Sequence, residues 1–194
     1  MSLDKFMNQA RQRFFIALLP PKRIGQLAEQ LKEHFAEVYQ SRAAQKSPAH
    51  ITLQPPFDWL TADLPRLTQH LEYLAGTQPP IPLVLDGFGA FKPRVIFIKV
   101  RTTPELLSLQ ENLTKSLESA LGIVHAASKN RPFAPHLTLA YRDLTKPNFY
   151  QAWSEFASQP FPFEFTVPQL TLLQHDGQRW QISQEFPLGL EVKS

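Results

Sequence analysis

An internal repeat that carries one short motif twice constrains this chain more than any other feature. His50-Ile51-Thr52-Leu53 and His136-Leu137-Thr138-Leu139 both read His-x-Thr-x with apolar residues at x, each closely preceded by a proline, Pro48 and Pro135. Both tetrapeptides favour β structure. On a strand, successive side chains alternate faces. Each His therefore shares a face with its own Thr, while Ile51 and Leu53, like Leu137 and Leu139, turn into a core. Two imidazoles, each beside a hydroxyl on a solvent-facing ridge, can supply an acid and a base on either side of one bound group.

The motifs sit in matching surroundings. The first half reads as a strand over 14–19, then a helix after Pro20-Pro21 whose apolar stripe is Ile24, Leu27, Leu31, Phe35 and Val38. The first motif strand follows, then a helix carrying Leu60, Leu64, Leu67, Leu71 and Leu74, and a strand over 81–91. The second half reads as a strand over 95–100 and a helix opened by Thr103-Pro104-Glu105, with Thr as N-cap and Pro at the first helical position. Leu106, Leu109, Leu113 and Leu117 form its stripe, and Gly122 stops it. Then come the second motif strand, a short helix near 149–156 and a strand over 163–173. Pro21 and Pro104 stand at nearly the same offset as His50 and His136. A last strand over 180–186 lies outside the repeat, joined through the turn His175-Asp176-Gly177-Gln178.

This pattern predicts an α+β fold that is bilobal and pseudo-twofold: two mostly antiparallel sheets flank a central cleft, with helices on the outer faces. One His-x-Thr-x strand belongs to each lobe. A half of about 90 residues is long enough to fold, but the cleft needs both, and no Gly- or Ser-rich linker separates them. Residues 1–194 are read as a single bilobal domain.

Composition narrows the chemistry. A 43% hydrophobic and 19% charged chain of 194 residues is expected to be soluble and globular. The absence of cysteine excludes disulfides, thiolate zinc sites and cysteine nucleophiles, and fits a cytoplasmic protein. Residues 1–13 are polar and lack the apolar stretch of a signal peptide. No apolar run approaches the roughly 20 residues of a membrane span. A monomer with no membrane or protein partner is expected. A net charge of +3 suits an anionic ligand and falls far short of a nucleic-acid coat. Neither a Gly-x-Ser-x-Gly elbow nor a Gly-rich phosphate loop occurs. Zinc held by His50 and His136 would lack a third ligand, so no metal or cofactor is expected.

The chain resembles the two-histidine phosphoesterases, in particular the bacterial RNA 2′,3′-cyclic phosphodiesterase and 2′-5′ RNA ligase branch. The matching pieces run through nearly the whole sequence in the family's order. They are 14–21 (FFIALLPP), 48–53 (PAHITL), 87–91 (GFGAF) with Pro93-Arg94-Val95, 132–139 (PFAPHLTL) and the closing Phe186-Pro187-Leu188. One His-x-Thr-x alone is a weak signal; two, one per lobe of a repeat, are a strong one. The resemblance implies metal-independent cleavage of 2′,3′-cyclic phosphate ends of RNA or nucleotides to 2′-phosphates. His50, Thr52, His136 and Thr138 would be the catalytic residues, with His136 as the water-activating base and His50 as the acid. Other readings stay open: another cyclic phosphate such as that of ADP-ribose, reversible 2′-5′ ligation, or a module that binds RNA or nucleotides without turnover. Intact His and Thr in both motifs weigh against the last.

The remaining candidates are less specific. Lys129 and Arg131 lead into the second motif, and Arg131 is the best substrate-binding candidate, as a phosphate contact. Many relatives carry Arg two residues beyond the second motif, where this chain has Tyr141 and then Arg142. The displacement turns the arginine to the other face, and alternation sends Tyr141 to pack with Leu137 and Leu139. Phe57, Trp59 and Phe133 suit core packing better than base stacking. His34 and His70 on helices read as solvent-facing or cap-adjacent, and His125 and His175 as surface residues.

Overall fold

The computed structural model describes residues 10–124 and 131–189. Their eight strands form one sheet in which every bonded neighbour is antiparallel. In chain order they are β1 (Arg11–Leu18), β2 (Ile51–Leu60), β3 (Ile81–Phe91), β4 (Val95–Val100), β5 (His136–Ala140), β6 (Phe163–Val167), β7 (Gln169–His175) and β8 (Trp180–Pro187). Their spatial order is β6-β3-β4-β5-β2-β1-β7-β8. The motif strands β5 and β2 are central neighbours, and the pair Ile51↔Leu137 is their sole register pair. The two lobes expected from the repeat are thus four-stranded halves of a single sheet, joined at one seam between the motifs.

The helices are α1 (Lys22–Val38), α2 (Leu64–Gly76), α3 (Pro104–Leu121) and α4 (Lys146–Phe156). Thr103 Oγ1 accepts from the Leu106 N–H at 3.2 Å, and Gly122 ends α3 in the left-handed region at φ 68°, as the sequence predicts. Helix α4 is capped in the same way by Thr145.

Two features depart from a simple repeat. The stretch 163–173 is two strands rather than one. Pro168 has no N–H to donate to a ladder, and the chain breaks there into β6, at one edge of the sheet, and β7, beside β1. Equivalent elements also cross over. The strand that follows the first motif's helix, β3, pairs with β4 in the second half, while β7 pairs with β1 in the first. The helices cross too: α1 packs on β5 and α3 on β2. Each half therefore covers the other's motif strand.

Burial differs in detail from the sequence stripe on α1. Its buried residues are Ile24, Ala28, Lys32, Phe35 and Ala36. Leu27 and Leu31 are half-buried, and Val38 is 49% exposed. Leu60, read as helical, ends β2; α2 opens at Leu64, which packs half-buried against the core, and its fully buried residues begin at Leu67. Ile51, Leu53, Leu137 and Leu139 lie in the main core beneath the helices. A smaller cluster of Phe15, Ala17 and Leu173, flanked by Leu19 and Trp180, fills the opposite face of β1 and β7. No helix of the described residues is long and apolar enough to cross a membrane.

The seam yields a prediction. Leu137 is fully buried and paired with Ile51, so Leu137→Ala removes packing where both halves meet. Urea denaturation should show a loss of about 2–5 kcal/mol, and a loss within experimental error would mean the seam is not the keystone of the core.

Candidate active site

Antiparallel pairing at Ile51↔Leu137 fixes which groups face each other. Continuing that register sets His50 across from Thr138 and Thr52 across from His136. All four side chains are half-buried and occupy the face away from the helices, since their neighbours Ile51, Leu53, Leu137 and Leu139 are fully buried on the other.

The two imidazoles are held alike. His50 Nδ1 lies 2.7 Å from the carbonyl of Pro48, and His136 Nδ1 lies 2.8 Å from that of Ala134. A carbonyl can only accept, so each Nδ1 must carry the proton. This leaves each Nε2 as the free nitrogen of a neutral ring, able to take a proton or, once charged, to give one. The prolines beside the motifs help to position those carbonyls.

Aromatic rings back both histidines. Phe15 of β1 lies 4.7 Å from His50, and Phe97 of β4 lies 5.0 Å from His136, centroid to centroid. Phe91 closes edge-on to His136 at 5.1 Å. Gly89, paired with Phe97 across β3 and β4, makes this possible: a Cβ there would lie 2.3 Å from the Phe97 ring. The second glycine of the 87–91 stretch is a space requirement for the ring behind His136.

Burial pushes both imidazoles below their usual value of 6.5. His50 falls to about 4; its bond to Pro48 opposes the shift, and the charges of Lys32 and His136 add to it. His136 is lowered by burial against the opposing bond to Ala134. Both rings are thus neutral near pH 7 in the free protein. Because the unfolded chain binds those protons more readily, stability falls as pH drops from 6.5 towards 4.

Lys32 is a residue that sequence reasoning missed. It is 2% exposed on α1, pairs with Glu29 at 2.9 Å and donates to the Ser47 carbonyl at 2.8 Å. Ser47 precedes Pro48, whose carbonyl holds His50, so the ammonium braces the loop that orients the imidazole. The signal was present in its spacing from Ala28 and Phe35, which places position 32 on the buried stripe.

Two cavities meet at this face and share Thr52. One, of about 290 Å³, is lined by His50, Thr52 and Thr138 with Arg13, Phe15, Tyr141, Arg142, His175 and Trp180 among others. The other, of about 810 Å³, runs past His136, Phe91, Phe133 and Arg131 beside α3. Arg131 therefore lies on the His136 side. Tyr141 does not pack with Leu137 and Leu139 as alternation suggested, and Arg142 is not turned away from the site. Strand β5 ends at Ala140, and Arg142 takes a left-handed backbone at φ 60°, so strand parity no longer applies.

Among the other candidates, Phe57, Trp59 and Phe133 pack against the core. His70 bonds Ser116 between α2 and α3 at 2.8 Å, and His34, 40% exposed, stands 3.8 Å from Glu155. His175 is at the rim of the smaller cavity, edge-on to Trp180. His125 and Lys129 lie outside the described residues. Among the described residues, no three His, Cys, Asp or Glu side chains gather as a metal site.

Residues 20–179 match the 2′-5′ RNA ligase superfamily. The chain belongs to that superfamily, the two-histidine phosphoesterases. A Geobacillus kaustophilus protein named "Putative phosphoesterase" is 29% identical over 91% of this chain and 96% of its own length. Among solved structures, TT0787 of Thermus thermophilus is 26% identical with a TM-score of 0.64, covering 92% of this chain and 99% of its own. Escherichia coli LigT complexed with 3′-AMP is 25% identical with a TM-score of 0.62 over the same shares.

The imidazole geometry is open to direct measurement. Nitrogen-detected NMR should find both rings as Nδ1–H tautomers at pH 7, both titrating below 6.5 and His50 at about 4. An Nε2–H tautomer, or a midpoint above 6.5 for either ring, would contradict the site as described.

Proposed function

We propose that this phosphoesterase hydrolyses 2′,3′-cyclic phosphate ends of RNA or nucleotides to 2′-phosphates, without a metal, using His50 and His136 as its proton-transfer pair. The observation that carries this reading is the matched tether of both imidazoles. Each Nδ1–H is committed to a backbone carbonyl two residues back, and each Nε2 is left free. A binding module has no need of two such groups. LigT, complexed with 3′-AMP, supports a nucleotide as the ligand class.

In the proposed reaction His136 Nε2 takes a proton from water, whose oxygen attacks the phosphorus. The P–O3′ bond breaks, and the departing 3′ oxygen takes the proton held by His50 Nε2. One water is consumed, the 2′-phosphate remains, and the pair ends with its proton moved from one ring to the other. Thr52 and Thr138 hydroxyls donate to the non-bridging oxygens, where charge builds in the transition state. His50 must be charged to act as the acid, and burial opposes that in the free protein. A cyclic phosphate monoanion between the rings supplies the opposite charge that draws the proton back. The polarity follows the family resemblance.

Three outcomes test this. His50→Ala and His136→Ala should each lower kcat by roughly 10²- to 10⁴-fold while keeping the fold, with Thr52→Ala and Thr138→Ala milder. Wild-type kcat on either single histidine variant would defeat the assignment. The dependence of kcat/KM on pH should be a bell whose maximum lies between about 4 and 6.5, because both free imidazoles are shifted down. A plateau extending above pH 8 would contradict it. EDTA-treated protein should convert 2′,3′-cyclic AMP to the 2′-phosphate, and activity that required added zinc or manganese would overturn the metal-free reading.

A further inference from the structure

The reacting phosphate needs the two histidines and their threonines, yet the His50 end of the site holds more positive charge than one cyclic phosphate monoanion calls for. Arg13 and Arg142 line the same cavity as His50, Thr52 and Thr138, and no carboxylate lines it. Both arginines are exposed, and neither forms an ion pair among the described residues. Asp58 is the cross-strand neighbour of Arg13 in the β1–β2 ladder, but its carboxylate makes no bridge to that guanidinium.

Arg142 is held in place at a local cost. Its φ of 60° is unfavourable for any residue with a Cβ. The turn is locked from both sides: the Asp143 N–H donates to the Tyr141 carbonyl at 2.8 Å, and the Asp143 carboxylate accepts from Ser41 Oγ and from the N–H groups of Arg42 and Ala43. A glycine would take the same backbone conformation without strain. The guanidinium lies 5.2 Å over the Tyr141 ring, and Trp180 forms part of the same cavity wall. Planar donors and aromatic faces beside one another suit a phosphate attached to a nucleoside.

We infer that Arg13 and Arg142 form a second anion subsite, which takes a non-reacting phosphate of the same substrate while the cyclic phosphate lies between His50 and His136. The inference rests on the cyclic-phosphate reading above and narrows it: the preferred substrate carries at least two phosphates. The shared chemistry is a phosphate on the nucleoside 5′ oxygen. It comes either from a terminal 5′-phosphate or from the internucleotide phosphodiester of an RNA strand.

Steady-state kinetics of the EDTA-treated protein on three substrates separate these sources: adenosine 2′,3′-cyclic phosphate, the same compound with a 5′-phosphate, and the dinucleotide ApA ending in a 2′,3′-cyclic phosphate. The subsite predicts roughly a tenfold or larger gain in kcat/KM for at least one two-phosphate substrate over the first, shrinking as salt is raised. A gain for the dinucleotide alone identifies the phosphodiester, and a gain for the 5′-phosphate alone identifies the terminal group. Arg142→Ala and Arg13→Ala should each reduce that ratio, and the double variant should bring it to about one. Arg142→Lys should keep part of it. Arg142→Gly guards against a merely structural effect: its Tm should equal or exceed that of the wild type while the ratio is lost. Equal kcat/KM for all three substrates, or a gain that survives in the double variant, would overturn the inference. If no cyclic phosphate is turned over, the catalytic reading fails, and calorimetry then judges the subsite alone. Adenosine 3′,5′-bisphosphate should bind more tightly than 3′-AMP in an arginine-dependent way, and equal affinities would overturn it.

Discussion

Everything at the site depends on one contact between strands, the pairing of Ile51 with Leu137 at the centre of the sheet. Both residues are fully buried against the helices, and the period of two along a strand does the rest. Burying the apolar residue of each motif forces the flanking His and Thr onto the opposite face. Antiparallel pairing then sets each histidine across from the other motif's threonine. The same packing that stabilises the core therefore places two imidazoles and two hydroxyls around one small volume. A one-residue slip would bury the histidines and expose the leucines, so the hydrophobic effect protects the register of the chemistry.

The crossing of elements explains why the halves act as one unit. Helix α1 packs on β5 and α3 on β2, and β3 and β7 exchange places between halves. The helix packed on each motif strand comes from the other half. Burial on one side and partial enclosure on the other also set the electrostatics. Both imidazoles are neutral in the free protein, and Lys32, itself driven below its usual value by burial, adds to the depression at His50 while bracing its loop. A negative charge placed between the two rings would favour their protonated forms.

Much of this was legible in the sequence, because it follows from periodicity and punctuation. The motif strands, the Thr103 cap, the Gly122 stop and the order of helices and strands obey local rules. The failures have physical causes. Lys32 was hidden because a lysine on a helix reads as solvent-facing, and only its Ser47 and Glu29 partners permit its burial. The break at Pro168 was hidden because the residues on both sides of it favour strand. The placement of Tyr141 and Arg142 was misread because alternation holds only while the strand lasts, and a left-handed residue just beyond β5 cannot be foreseen from an arginine. Which half receives β3 or β7 is a long-range choice that no local pattern encodes.

A kinetic double-mutant cycle on His50 and His136 tests the central claim most directly. If the two rings form one proton-transfer unit, removing either disables it, and the His50→Ala, His136→Ala double variant should be no more than a few-fold slower than the slower single variant. Losses that multiply, so that the double variant falls by the product of the two single effects, would mean that the histidines act independently and that the paired geometry is not the source of catalysis.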